Sequence, residues 1–404
     1  MRGDLAPPLQ ELALPPRVIG QVSAAQATLA ALSARLGPQK NPFSVTRLLA
    51  REEAVRSSAI EGAKTTLDQL LQAEPVLDDA EARTKGRDGG RGKPDELATV
   101  RAYAMALEDR LAQPSALNVE CILTLHRQVF SAAPEFAGGR KGPAGAWRGR
   151  EVRIGRSRDT SEATSIPPAH ALVPRLMDEH AAWLAATAGD ETKLALPIRL
   201  ALAHAHFEAV HPFTDGNGRI GRMLLWLMLA EEGFVPVPLS RLLEAERPRY
   251  DEALRFAQQK QDLVPLVLLL CDAIVEGVKF TEALDRRLSP LPDHWWDTAR
   301  WPGQRPPRQG SAGNRLLDLL PVYPVVTVGT VARHLGVSRQ AANLAVQELA
   351  EAKVLAERNG WRRNRVFVCR EALAAIAENA HQGFMPVSLC NAAPPPARLR
   401  CACP

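Results

Sequence analysis

The twelve residues from His211 to Arg222, HPFTDGNGRIGR, run directly into an apolar stretch from Met223 to Ala230, MLLWLMLA. The apolar stretch is long enough for a buried helix, so the twelve residues read as the loop that opens it. A loop of small residues at a helix start presents free backbone N–H groups and the positive end of the helix dipole, and together these bind anions. Gly216 and Gly218 permit positive φ and let the backbone come close to a phosphate. Asn217 can add its side-chain amide. Arg219 and Arg222 stand on neighbouring helical positions and can both reach one polyphosphate. Asp215 suits a hard cation such as Mg²⁺, which takes one or two carboxylates plus phosphate oxygens. His211 is the group in this stretch able to accept a proton near neutral pH. A base, a cation ligand and an anion cradle so close together describe a phosphate-transfer site.

The same residues resemble the signature of the Fic family, HPFx(D/E)GNGRxxR, at every specified position. Proteins of that family typically move AMP from ATP onto a hydroxyl side chain of a target protein. The resemblance implies a mainly α fold, a Fic-type helical bundle with a β-hairpin flap over the site. It also implies ATP held by Gly216, Asn217, Gly218, Arg219, Ile220, Gly221 and Arg222, Mg²⁺ on Asp215, and His211 as the base. Phe213 is expected to anchor the loop in the core. A Doc-type relative, which phosphorylates its target, carries a Lys where Gly218 stands, so this sequence favours AMP transfer.

Upstream, Ser44 to Leu71 reads SVTRLLAREEAVRSSAIEGAKTTLDQLL, helical with a ragged apolar face. Ser57 and Glu61 share one face of a helix turn, and Gly62 either ends the helix or lets it approach another backbone. SSAIEG resembles the inhibitory motif (S/T)xxxE(G/N) of many Fic proteins, here preceding the core as in class II. That resemblance implies an ion pair between Glu61 and Arg222, which would put negative charge where the γ-phosphate should sit.

The 404 residues suggest two or three domains, and 46% hydrophobic content excludes global disorder. A net charge of +5 and a pI near 9.0 are compatible with nucleic-acid contact in one domain but do not require it of the whole. The cysteines show no zinc-like spacing, and Cys121 and Cys271 fit reduced core positions. With a polar, proline-rich start and no apolar run near the roughly 20 residues that span a bilayer, a cytoplasmic protein is the expectation.

Further helices are expected over about Val22–Leu36, Glu96–Leu111, Val119–Phe130, His170–Thr187, Leu194–Val210, Leu239–Lys260 and Leu263–Val278. Residues 79–95 are charged and glycine-rich and read as a solvated loop. His126, His204 and His206 read as packing residues. Pro143 to Ser157 breaks the helical period, and its Val152, Arg153, Ile154 and Gly155 fit a short hairpin. Gly145 to Arg148 and Val152 to Gly155 resemble the GxxR and VxIG of the family's flap, whose strand edge can pair with a target's main chain. Tyr250 is a candidate to contact the adenine or the flap, since related proteins place aromatics near this point.

Residues 286–313 are rich in Pro, Arg and Gly and read as a linker. Beyond it come a helix at Leu316–Leu320, then Thr327 to Leu349 as two helices turning at Gly336, with Ser338 capping the second. Val354 to Cys369 reads as two strands joined around Asn359-Gly360. This pattern predicts a winged helix-turn-helix. Arg339, Gln340 and Asn343 are types that contact DNA bases, and Arg358, Arg362, Arg363 and Arg365 types that contact phosphates; such modules also serve dimerisation or protein recognition.

The expected organisation is an N-terminal helical region over 1–112, a catalytic core over 113–285, the linker, the winged module over 314–378 and a tail over 379–404. The expected activity is protein adenylylation of Ser, Thr or Tyr, held low by Glu61, with ATP, an unidentified target protein and self-modification as its partners. Removal of AMP at the same site, or a nucleotide-sensing DNA-binding regulator, are the alternatives, and a homodimer is compatible with either.

Overall fold

The computed structural model describes residues 14–37, 45–84, 96–131, 142–154, 166–189, 194–358 and 365–381. Helix α1, Pro16–Leu36, starts earlier than its apolar stripe suggests because Pro16 supplies the first-turn residue that needs no hydrogen-bond donor. Helix α2, Thr46–Ile60, has a ragged face because it is surrounded: Arg51, Glu52, Glu53, Ser57 and Ser58 are buried beside Ala50, Ala54 and Val55. Burial of these groups is tolerated because Arg51 and Glu52 are ion-paired and Glu53, whose carboxyl burial raises to about 7, is hydrogen-bonded. Arg51 meets Glu74 at 3.0 Å and Glu108 at 2.6 Å, Glu52 meets Arg56 and Arg241 at 2.8 and 2.9 Å, and Glu53 accepts from the Ser240 backbone at 2.9 Å.

Helix α3 runs Leu67–Thr84 and claims the first part of the charged loop expected over 79–95; residues 85–95 lie outside the described residues. Helices α4 (Glu96–Ala112) and α5 (Val119–Phe130) lead to α6 (Val173–Thr187), entered by a 3₁₀ turn at His170–Leu172. Helix α7, Leu196–Val210, and helix α8, Asn217–Glu231, are the centre of the bundle. Ile220 to Leu229 are buried on every side, which is why this stretch is apolar all round.

The stretch expected as one helix over Leu239–Lys260 is two, α9 (Ser240–Ala245) and α10 (Arg247–Lys260). Pro248 sits in the first turn of α10, and a proline there cannot extend the preceding helix. Helix α11 continues from Val264 to Leu288, well past Val278. The supposed linker is folded: α12 spans Leu291–Thr298, Trp295 and Trp301 are buried, and the Trp295 indole donates to Glu371 at 2.7 Å. Burial of the tryptophans outweighs the Pro/Arg composition that suggested a tether.

The C-terminal part comprises α13 (Ala312–Leu319), β1 (Val325–Thr327), α14 (Val328–Leu335), α15 (Arg339–Glu351), β2 (Ala356–Glu357), β3 (Val366–Val368) and α16 (Arg370–His381). Gly336 has φ 62°, and the Ser338 side chain accepts from the Ala341 backbone, so the turn and cap fall where expected. The sheet has an additional strand, β1, paired antiparallel with β3 through Val326 opposite Phe367, and β2 lies on the other side of β3. Helix α16 carries order past Asn379; Asn359, Gly360, Arg362, Arg363 and the tail from 382 lie outside the described residues.

Two apolar cores share helices. Helix α11 gives Leu266 to Val278 to the first and Phe280, Leu284 and Leu288 to the second; α2 gives Ala50 and Ala54 to the first and Leu48 and Leu49 to the second. The C-terminal module is therefore packed onto α2 and α3. Arg47 lies over the Tyr323 ring at 3.9 Å and Asp79 accepts from Thr327 at 2.7 Å and Arg333 at 3.1 Å. Among the described residues no helix is long and apolar enough to cross a membrane.

Candidate active site

Helix α7 ends at Val210, and His211 takes the left-handed conformation with φ 50° and ψ 62°. A non-glycine residue there is strained and needs to be held. Arg148 holds it. Its Nε donates to the His211 carbonyl at 2.9 Å and its terminal nitrogens to the carbonyls of Val210, Pro168 and Arg150 at 3.3, 2.5 and 3.2 Å, while its own backbone N–H donates to the Pro212 carbonyl at 2.9 Å.

Phe213 is fully buried, as expected, and stacks on His126 with ring centres 3.8 Å apart. The Gly145 N–H donates to His126 Nδ1 at 2.8 Å, which leaves Nε2 protonated to donate to the Asp215 carbonyl at 3.0 Å. Burial keeps that imidazole neutral, pushed down to about 4. His126 is thus a packing residue, but the one that pins the loop.

Asn217 departs from its expected role. Its side chain accepts from the Phe213 N–H and donates to the Phe213 carbonyl, both at 2.8 Å, so the buried amide closes the loop on itself. Ile220 is also corrected: its side chain is in the core and its N–H is spent on the Gly216 carbonyl at 3.0 Å. Gly221 serves packing, since a Cβ there would lie 2.7 Å from Glu208 Oε1 and 3.1 Å from the Phe207 ring.

Gly216, at φ 85°, caps α8 from the left-handed region, and a Cβ would strike the Phe130 ring at 2.5 Å. The first-turn N–H groups of α8 have no partner within the helix and face the loop. The Asp215 carboxylate accepts from the Gly216 N–H at 2.6 Å and lies 3.9 Å from Arg219, whose guanidinium stacks over Phe130 at 4.3 Å. No group of three metal-ligating side chains occurs among the described residues. One carboxylate beside an anion site fits a cation that arrives with its phosphates, as Mg²⁺ does, and not a dedicated protein cage.

Arg222 is buried and meets α2 three times: Nε donates to Ser57 Oγ at 2.9 Å, and a terminal nitrogen to the Ser57 carbonyl at 2.9 Å and to Glu61 Oε1 at 2.7 Å. Burial alone would raise the Glu61 pKa, but Arg222 overcomes it and holds the carboxyl below its usual range. Burial likewise opposes the charge on Arg222, and Tyr250 and Glu61 more than restore it. Gly62, at φ 96°, turns the chain out of α2 just after Glu61. Gly218 is where the two helices meet: a Cβ would lie 2.4 Å from Glu61 Oε1.

Tyr250 does not present its ring to a nucleotide. It is 2% exposed and its hydroxyl pairs with His204 Nε2 at 2.7 Å, in the wall behind Arg222. His206 pairs with His180 at 3.1 Å, away from the loop residues. Of the flap residues, Val152 and Arg153 have no regular structure, Ile154 is a single bridge residue, and Gly155 lies outside the described residues. His211 itself is pushed down to about 4, chiefly by burial and then by Arg148, so it is a neutral imidazole at physiological pH. Sequence reasoning overlooked Arg148, Phe130 and Glu208 as parts of this site. Arg148 lay within the GxxR pattern, and Glu208 stands one helical turn before His211.

Residues 116–229 match the Fic/DOC family and residues 19–111 the Fic/DOC family N-terminal region. The chain is 28% identical over 213 residues to Protein adenylyltransferase Fic of Drosophila melanogaster, covering 52% of this chain and 36% of that protein. It is 36% identical over 132 residues to Protein adenylyltransferase fic-1 of Caenorhabditis elegans, covering 32% of this chain and 22% of that protein. The matched region thus spans about a third or less of these curated relatives. A crystal structure of a Fic family protein from Desulfovibrio desulfuricans shares the fold, with TM-score 0.51 and 18% identity over 89% of this chain and 97% of that one. With the signature loop, the preceding helix that meets it and both regions matched, the chain belongs to the Fic/DOC family.

Proposed function

We propose that this protein transfers AMP from ATP to a Ser, Thr or Tyr hydroxyl of a target protein, itself included, and that Glu61 holds the activity low. The observation that carries the reading is the contact of Glu61 with Arg222, beside the helix start that faces His211 and Asp215. The names of the curated relatives, protein adenylyltransferases, support it. The target oxygen attacks the α-phosphorus of ATP, its proton passes to the His211 imidazole, and the bond to pyrophosphate breaks with its electron pair. Amides at the start of α8, with Arg219 and Arg222, offset the charge growing on the phosphate oxygens, the largest contribution expected in such transfers. Asp215 would hold Mg²⁺, which neutralises phosphate charge when bound. While Glu61 occupies Arg222, the γ-phosphate has no partner there, and nucleotide lies in a posture unsuited to reaction.

With radiolabelled ATP, Glu61→Gly should raise self-labelling well above wild type, and His211→Ala in that background should abolish it. Equal, low labelling of wild type and the Glu61 variant would contradict the inhibitory assignment. A cytoplasmic location agrees with the composition.

We also infer that the C-terminal module contacts DNA through the start of α15, where Arg339 and Gln340 are exposed, Asn343 is half-buried and Leu344 is 59% exposed. Arg358 beside the wing is exposed as well.

A further inference from the structure

Glu208 lies in α7, one turn before His211, and is 7% exposed. Its Oε1 has no hydrogen-bond partner, and His211 Nδ1 has none of good geometry, its one polar neighbour on the main chain being the Glu208 backbone. Glu208 Oε2 stands 3.9 Å from that Nδ1. A buried carboxyl without a full set of partners is costly, and such groups concentrate where a site uses them. The surroundings are close: α8 brings Gly221 against Glu208 Oε1, and a Cβ there would lie 2.7 Å from that oxygen.

We propose that Glu208 is a positioning residue for His211: its carboxylate accepts from Nδ1–H, fixes the tautomer that leaves Nε2 free for the target hydroxyl, and balances the imidazolium formed on proton uptake. This rests on the reading of His211 as the base. With the imidazole neutral the present separation is longer than a hydrogen bond; catalytic contacts commonly shorten only once substrate is bound. The need for such a partner follows from the setting. His211 is half-buried beside the Arg148 guanidinium, which disfavours a second positive charge. Other groups facing the pair are Arg222 from α8, His204 on α7, Tyr250 from α10, Glu61 at the end of α2 and Asp215 in the loop. Arg222 and Glu61 neutralise one another at 2.7 Å, and His204 is kept neutral by burial, which leaves Glu208 as the nearest acid to Nδ1. Burial raises the Glu208 carboxyl to about 7, with Arg222 opposing, so its ionised form grows in across the neutral range.

The test is single-turnover self-labelling in the Glu61→Gly background, with Mg-ATP affinity measured in parallel. Glu208→Gln should slow transfer about tenfold to a hundredfold, the usual effect of losing a residue that orients a reacting histidine. Nucleotide affinity should stay within about twofold, since only Nδ1 loses a partner. The acid limb of the rate, near neutral pH in the parent, should disappear in Glu208→Gln, and Glu208→Asp should recover part of both rate and limb. A merely structural Glu208 would lower affinity and rate together and leave the limb in place, which overturns the proposal. If the variants do not fold, imidazole ¹H–¹⁵N correlation on the parent across the neutral range still decides: an Nδ1–H resonance that moves as the Glu208 carboxyl ionises supports the proposal, and an Nε2–H tautomer, or an Nδ1–H resonance that does not move, refutes it. If Glu208→Gln matches its parent while His211→Ala is dead, the proposal alone fails. Should His211→Ala remain active, the underlying assignment of the base fails first.

Discussion

Replacing Glu61 by Gln keeps the size of the side chain and removes only its charge, so it isolates the electrostatic part of the Glu61–Arg222 contact and tests the inhibition proposed for it. The bond from Arg222 to Glu61 Oε1, at 2.7 Å, joins two charged groups, and such bonds contribute about 1.5–3 kcal/mol when buried. Arg222 is 2% exposed at its side chain but Glu61 is 40% exposed, so solvent screens the pair and roughly half of that survives. About 1–1.5 kcal/mol corresponds to roughly a tenfold shift in the fraction of molecules with Arg222 free. Arg222 keeps its two bonds to Ser57, so the fold should hold. Initial rates of label incorporation at subsaturating Mg-ATP should therefore rise about tenfold in Glu61→Gln, and less at high salt, because the exposed end of the pair is screened. The Glu61 carboxyl lies below its usual range, so the contact is present above the ordinary carboxylate pKa and fails only as pH falls through the lowered value. The ratio of variant to wild type should then stay flat between about pH 6 and 8. A ratio near one at low salt, with both proteins folded, would refute the electrostatic account and leave steric blockage as the cause.

Arg148→Met should destabilise the protein by about 3 kcal/mol, read as a lower urea midpoint, since several main-chain carbonyls lose their donor. Labelling should fall further than nucleotide affinity, because the strained turn at His211 relaxes; equal losses would argue against that turn as the cause. For the C-terminal module, Arg339→Ala should give a weaker gel shift of random-sequence duplex DNA than wild type, and an absence of any wild-type shift at low salt would sink the DNA reading.

Much of the molecule was legible because its chemistry is written in short, local patterns. HPFTDGNGRIGR and the apolar run after it identify the loop and the helix it opens, since spacing along one helix turn and the need for glycine at positive φ are properties of a few adjacent residues. Ser57 and Glu61 were also readable as one face, because four residues make about one turn. What each side chain does with its free end was not. Asn217 and Gly221 look like phosphate contacts in the motif, yet Asn217 closes the loop and Gly221 admits Glu208, because those outcomes depend on α7 and α8 crossing closely. Tyr250 turned inward to His204 because α10 packs against α7.

By itself, then, the sequence determined the helical class, the signature loop and the chemical types at the candidate site, all of which follow from local periodicity and residue chemistry. Tertiary structure alone decided that Arg148 clamps the turn at His211, that Glu208 lies behind the imidazole, and that the C-terminal module is packed on α2 instead of tethered to it. These are contacts between residues distant in the chain, or depend on burial from several directions, and neither leaves a periodic trace in one sequence.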